Sequence, residues 1–421
     1  MLTENFKHLA RLDIPGGGQV TLVGTTAYVG HMDPPHGTSI FDVSDPRKPK
    51  LLSTIALDGD ATHSHKVRVV GDLMFTNCER PRRSFWRRAR TTAEARQDLM
   101  AKSGGNEPTK AELAKATGFD PEVIKDLLDA SKIDYPDAGF KIWDIADKTK
   151  PKLIHHQYTG REGVHRFDVD ERYAYMSTGM DGFEGNILVI YDHSNPTKLE
   201  EVGRWWIPGQ HTAGGEVRDW HGSDKQLHHA MRLGNELWAG CWHGGVAGID
   251  VTDIGKPKTI ASYDYHPAFA HPTHTAMRVP YKIGGKDIIA VIDEEERHTQ
   301  GRIHAFVWFF ELTADRKLVP ISTFSMSERD TPLFDGGGRF GAHQYQEKFP
   351  QPILFATWFS GGLRAVDFSN PLKPKETGFF IPDKAKSNVN VQSNDATVDD
   401  RGLVYVLDRN IGLDILEYEK W

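Results

Sequence analysis

Histidine recurs at one structural position along this chain. The phrases "QLHHAMRLG" (226–234) and "PTHTAMRVP" (272–280) both put it directly before a short apolar strand. Aligning the similar segments brings Gly18, His65, His165, His228, His274, His343 and Asn394 into one register. With 20 histidines in 421 residues, five imidazoles at seven matched positions are not chance placement. One such histidine alone would read as a satisfied core or turn residue. Five that converge cannot, because neutral rings need hydrogen-bond partners and protonated rings repel; a cation accepting their lone pairs resolves both problems. Imidazole donors disfavour Mg²⁺ and Ca²⁺, and the only cysteines, Cys78 and Cys241, show no ligand spacing, which leaves Fe, Mn, Zn or Cu. An ion held by three or four nitrogens keeps positions open for O2, or for polarising a substrate or water.

The segments following the second strand of each unit add candidates to the same mouth. Glu294 and Glu295 in "VIDEEE" are expected as general base or as carboxylates orienting imidazole N–H groups, and His243 in "CWHGG" joins them as a catalytic candidate. A charged strand end exposed to water is the plainer reading of either glutamate. His63, His229, Asn394, Asp181, Trp358 and Arg409 are expected to contact substrate or to support the ligands. His229 directly follows His228, and strand alternation would turn it away from its neighbour. His31, His36, His211, His221, His271 and Asp293 fall on the same rim or on connections, while His266, His298 and His304 are given no role.

Repetition explains how distant histidines could meet. A strand–Asp–turn–Lys-Pro-Lys phrase recurs in "IFDVSDPRKPKLLS" (40–53), "IWDIADKTKPKLIH" (142–155) and "VDFSNPLKPKETGF" (366–379), with related copies between. Each copy is preceded by alternating apolar residues, a turn and an aromatic-centred strand. The pattern predicts an all-β, seven-bladed β-propeller occupying residues 1–421. The last unit lacks a fourth strand, and residues 5–15, which match fourth strands elsewhere, should close it. Through "LVIYDHSNP", "IFDVSDPRKPK" and "LRAVDFSNPLKPK" the chain resembles the LVIVD-repeat β-propeller family, which implies a propeller and no particular reaction.

One stretch breaks the period. Residues 79–138 turn charged and helical between the second and third strands of blade 2, with Thr109 and Asp120 as helix caps. Their second half resembles a sigma-factor helix-turn-helix, but the net charge of -7 lacks the basic balance of nucleic-acid binding. A lid over the ring's mouth is the simpler expectation.

The same charge argues against anionic lipid, and no apolar run is long enough to span a bilayer. Two cysteines and no secretory-type leader point to a cytoplasmic chain. A rim rich in Trp, Phe and Met suggests a small apolar or aromatic substrate, and self-association stays open. The leading expectation is an oxidase or oxygenase, since an all-histidine pocket on a propeller axis is similar to the iron and copper sites of other propeller oxidoreductases. A redox-neutral metal-dependent lyase or hydrolase is the first alternative. A non-catalytic interaction scaffold is the second.

Overall fold

The recurrent aspartate builds the same turn each time. Asp42, Asp144, Asp192, Asp250 and Asp367 each accept the backbone N–H two residues on through Oδ1, ending one strand and reversing the chain into the next. A computed structural model describes residues 1–220, 225–296, 303–331, 338–384 and 390–421 of the chain. His221 and His298 lie outside the described residues.

The protein is all-β, with few helices. Its strands pair antiparallel into five four-stranded sheets and one of eight strands. The eight-stranded sheet divides into two runs of four, Lys225–Leu233 to Lys258–Tyr263 and Thr273–Arg278 to Leu318–Phe324. A single pair, Trp242 with Thr273, joins the runs. Apolar side chains fill the spaces between sheets; one cluster runs from Trp238 through Phe309 to Trp358.

The amino terminus joins two sheets otherwise built from the last part of the chain. Leu2–Glu4 adds to the outer edge of Lys375–Ile381, and Phe6–Leu12 then pairs with Gly412–Tyr418. Asn5 makes the step between them at φ 56°, with its amide donating to the Thr377 carbonyl. Every strand edge covered in this way is removed from intermolecular pairing. In the sheet containing Ile353–Thr357, the segment nearest the centre pairs through the isolated bridges Phe340–Phe359 and Tyr345–Ala356.

Residues between Leu73–Cys78 and Gly139–Asp144 form helices α1 (Arg83–Lys102), α2 (Lys110–Thr117) and α3 (Ile124–Ala130). Thr109 caps α2 in a reciprocal exchange with Glu112, and Asp120 caps the short turn Pro121–Val123. Ala89, Leu127 and Ala130 form a small core of their own. Helix α1 is tied to the sheets by Arg87 donating to Asn186 at 3.0 Å and by an Arg90–Glu162 ion pair. No helix among the described residues is long and apolar enough to cross a membrane.

Phe6 is buried against Phe355 and Tyr418, with ring centroids 6.0 and 5.0 Å away. Replacing it by alanine empties the closing seam, and Phe6→Ala should cost about 3 kcal/mol. The check is a lower guanidinium midpoint at unchanged slope.

Candidate metal centre

Strand pairing slips where the histidines stand, by two residues at His228 and by one at the other shifts. The register shifts between Gly17 and Gln19, Val164 and Arg166, Lys225 and His229, Thr273 and Thr275, and Ser393 and Asp395. Gly18, His165, His228, His274 and Asn394 are therefore bulge residues, released from the ladder and aimed by the bulge rather than by the pleat. His65 and His343 occupy the equivalent places. The side chain of Asn77 takes the Lys66 N–H at 2.8 Å, and the Thr357 carbonyl takes the His343 N–H at 3.0 Å.

The five register histidines form a continuous arc. Ring centroids lie 5.4 Å apart from His65 to His165, 4.7 Å to His228, 4.1 Å to His274 and 4.4 Å to His343. Burial holds all five imidazoles well below their ordinary pKa, so they are neutral near pH 7. Hydrogen-bond partners then assign the ring protons. His228 Nδ1 must donate to the His274 carbonyl at 2.8 Å, and His343 Nδ1 to the Asn394 carbonyl at 2.5 Å. The Thr275 hydroxyl gives its proton to Gln344, so at 2.9 Å it accepts from His274 Nδ1. His165 Nδ1 lies 2.9 Å from the Glu79 carboxylate. Each Nδ1 of this foursome has an acceptor, which leaves four Nε2 lone pairs as the inner donors. His65 is different, because the Asn77 amide donates to its Nδ1 at 3.4 Å and puts the proton on Nε2.

Glu294 stands beside the arc, 4.0 Å from His274 Nε2 and 3.8 Å from His343 Nε2. His228, His274 and Glu294 offer ligand atoms within 4.8 Å of one another, as do His63, His65 and Glu79. The second group is a poorer cation site, since Arg83 contacts Glu79 at 3.2 Å and His65 offers no free Nε2 lone pair. A cavity of about 560 Å³ opens over the arc, and its wall includes Glu79, Arg83, Trp242, Glu294, Arg409 and His63. The root of the helical insertion, Arg80 to Arg87, forms one side of it.

Several residues expected at the site lie elsewhere. Register explains three of them, because a one-residue slip reverses which way a side chain faces. Trp242, at φ 54°, stacks on His228 with centroids 5.2 Å apart; His243 turns instead to His266. Phe359, at φ 43°, covers His343 at 4.8 Å, whereas Trp358 is buried in the core. Glu295 is buried behind Glu294, where it accepts the Ala305 N–H at 2.9 Å and faces His271 and His304. Asp293 is likewise internal, held by Tyr265 and Trp308, and burial pushes its carboxyl up to about 8. Asp181 is fully exposed and pairs with Arg161, so it does not reach the cavity. His31 is a structural histidine between the Pro15 carbonyl and Ser39, and His211 stacks on Phe183.

His63 and Arg409 do reach it, and Asn394 stands behind Arg409. His63 lies 3.9 Å from His65 by ring centroid, and Arg409 donates through Nε and Nη2 to Asn394 Oδ1 at 3.0 and 2.7 Å. His229 does not follow alternation, because the shift after Lys225 removes it. It is fully buried 3.9 Å from Glu347, which also takes Arg166 at 2.9 Å and pairs with Arg68. Glu79, Trp242 and Phe359 were not anticipated. Their signal was available, since Glu79 stands one residue past its second strand, as Glu294 and Arg409 do, and Trp242 and Phe359 fall at or just past the end of theirs.

Comparison with known proteins agrees with the repeat pattern. Residues 165–206 match the LVIVD repeat family. No curated protein matches this chain in sequence. In fold it is similar to a solved mitotic checkpoint complex (10% identity, 98% of this chain and 94% of that one, TM-score 0.56). It is also similar to the C-terminal WD40 domain of Sif2 (10%, 98% and 97%, TM-score 0.53). A third likeness is to streptogramin B lyase (11%, 99% and 97%, TM-score 0.53). At these identities the likeness concerns the β-propeller fold alone.

Without a bound metal, the buried imidazoles make the protein acid-sensitive. Burial pushes His63 down to about 3 from an ordinary 6.5, so between these values the unfolded chain binds more protons than the folded one. Stability therefore rises with pH through that window and is lost on acidification below 6.5, by about 1.4 kcal/mol per pH unit for each imidazole that stays neutral. Thermal midpoints of the metal-free protein should fall steadily from pH 6.5 to 4.5, and His63→Gln should lessen the slope.

Proposed function

We propose that this protein is a metal-dependent enzyme acting on a small molecule, with one transition-metal ion on Nε2 of His165, His228, His274 and His343. The ion would sit at the axis of a closed ring of seven blades. The five four-stranded sheets, the division of the eight-stranded sheet and the pairing of Phe6–Leu12 with Gly412–Tyr418 support that count.

One observation carries the reading. His165 Nε2 and His228 Nε2 lie 2.9 Å apart, and both rings direct their other nitrogen at an acceptor. Two lone pairs at that distance repel unless a positive charge lies between them. Two imidazoles bound side by side on one ion, each at about 2.1 Å, bring their nitrogens about 3 Å apart. His274 and His343 add the same donor chemistry, and the acceptors behind the four rings are those that orient metal-binding imidazoles. His65 falls outside the ligand set.

A bound ion would supply Lewis acidity, and, if redox-active, an electron-transfer partner for O2. The chain's own groups supply the remainder. Glu294 stands beside the arc without serving any of its imidazoles as an Nδ1 acceptor, and it is placed to take a proton from a substrate or water at the mouth. Trp242 and Phe359 cover two of the rings and exclude water from that side. Positive φ at both aromatic residues is backbone strain held by the surrounding loops, of the kind found at functional sites.

An oxidase or oxygenase reaction is the first reading, because four nitrogen donors leave open positions suited to O2. A redox-neutral lyase or hydrolase reaction with Zn²⁺ or Mn²⁺ is the second, favoured by the placement of Glu294 as a base. Elemental mass spectrometry of the purified protein should find close to one equivalent of transition metal. His228→Ala with His274→Ala should abolish it, and His65→Ala should retain it. An unchanged metal content in the double variant would remove the proposal, and stoichiometric zinc without oxygen uptake would decide for the redox-neutral reaction. Glu294→Gln should keep the metal and lower turnover by about 100-fold.

A further inference from the structure

The arc of imidazoles is incomplete on one side. The two register positions without histidine, Gly18 and Asn394, are spatial neighbours, because the Asn394 amide donates to the Gly18 carbonyl at 2.8 Å. A Cβ at Gly18 would lie 2.7 Å from His65, so no side chain can fill this place. Two cations from other positions occupy the gap. Lys66 Nζ donates to the same Gly18 carbonyl at 3.1 Å, and Arg409 donates to Asn394 Oδ1 with its guanidinium 5.5 Å above the Phe359 ring.

Lys66, Arg409 and His63 all line the cavity, and His63 feels the charge of both cations. Lys66 is buried and Arg409 is partly buried. Among the described residues neither has a carboxylate within the 4.0 Å that defines an ion pair. Their acidic neighbours act at longer range: Asp395 and Glu347 on Lys66, and Glu294, Asp408 and Asp33 on Arg409. Two cations of the insertion on the same wall are already engaged, Arg83 by Glu79 and Arg87 by Asn186 and Glu162. Buried cations held only by neutral oxygens are costly unless an anion joins them.

We infer that the gap in the imidazole arc, bounded by Lys66, Arg409 and His63, is the binding corner for the carboxylate of the substrate. Resting on the metal-centre reading, this sets the substrate's reacting part over the imidazoles and its anionic end in the gap. Arg409 has Nη1 left to donate, Lys66 has two further protons, and a planar carboxylate can take both. The aromatic faces of Phe359 and Trp242 flank the same space, so the expected apolar or aromatic molecule becomes one that also carries a negative charge. Glu79 and Glu294 on the same wall disfavour a dianion such as phosphate.

The corner is made of protein groups, so it can be tested without metal. Benzoate and benzamide have nearly the same shape and differ in charge, and their affinities for the full-length metal-free protein can be compared by calorimetry. Benzoate should bind about 10-fold more tightly or better, the expected gain from charge-assisted hydrogen bonds. Arg409→Gln and Lys66→Met, checked for native circular dichroism, should each bring the two affinities together. Equal affinities, no binding of either compound, or a preference that survives both substitutions overturns the inference; the wild-type comparison stands even where a variant fails to fold. Metal analysis on the same preparations separates the two readings. Bound metal without benzoate preference removes the carboxylate corner alone, and benzoate preference without metal removes the metal centre alone.

Discussion

Everything at the centre of this molecule depends on the extra residues at the start of the innermost strands. A regular pleat would send successive side chains to opposite faces and place only every second one on the axis. The bulges at Gly18, His165, His228, His274 and Asn394 interrupt that alternation. The bulged residue and its successor consequently both serve the interior. The first forms the arc of imidazoles, and the second, in Lys66, Arg166 and His229, forms a charged layer beneath it around Glu347.

Rings so buried must be satisfied, and the way they are satisfied gives them chemical direction. Backbone carbonyls of the neighbouring innermost strands hold His228 and His343. In these two cases the next sheet orients the imidazole of the one before it, and a strand out of place would release an imidazole proton into an apolar wall. His165 is the exception, because its partner Glu79 stands at the root of the helical insertion and is gripped by Arg83. The insertion is in this way part of the centre as well as part of its wall. Networks of this kind are worth most when every member is paired.

The likeness to WD40 and lyase propellers says little about the reaction. A ring of sheets presents the same concave mouth whatever it holds, and the side chains at that mouth decide the chemistry. In this chain the mouth combines four imidazoles with oriented Nε2 atoms, the carboxylates of Glu79 and Glu294, two aromatic residues at positive φ and a cationic gap.

Periodicity alone determined the all-β repeat, the place where helices interrupt it and the five register histidines, because a strand–Asp–turn phrase imposes the same local structure wherever it occurs. The same was true of Glu294, Arg409 and Asn394, each anchored to an aligned strand. Where one residue of slip decides which face a side chain joins, the linear pattern was insufficient. His243 and Trp358 stand one residue either side of Trp242 and Phe359 in their loops, Glu295 turned inward, and Asp181 stayed in solvent. Ligand selection was also beyond it, since His65 and His165 are the same residue at the same register. Only the folded chain sets Asn77 against one and Glu79 against the other, and a donor or an acceptor at Nδ1 decides which ring offers its lone pair.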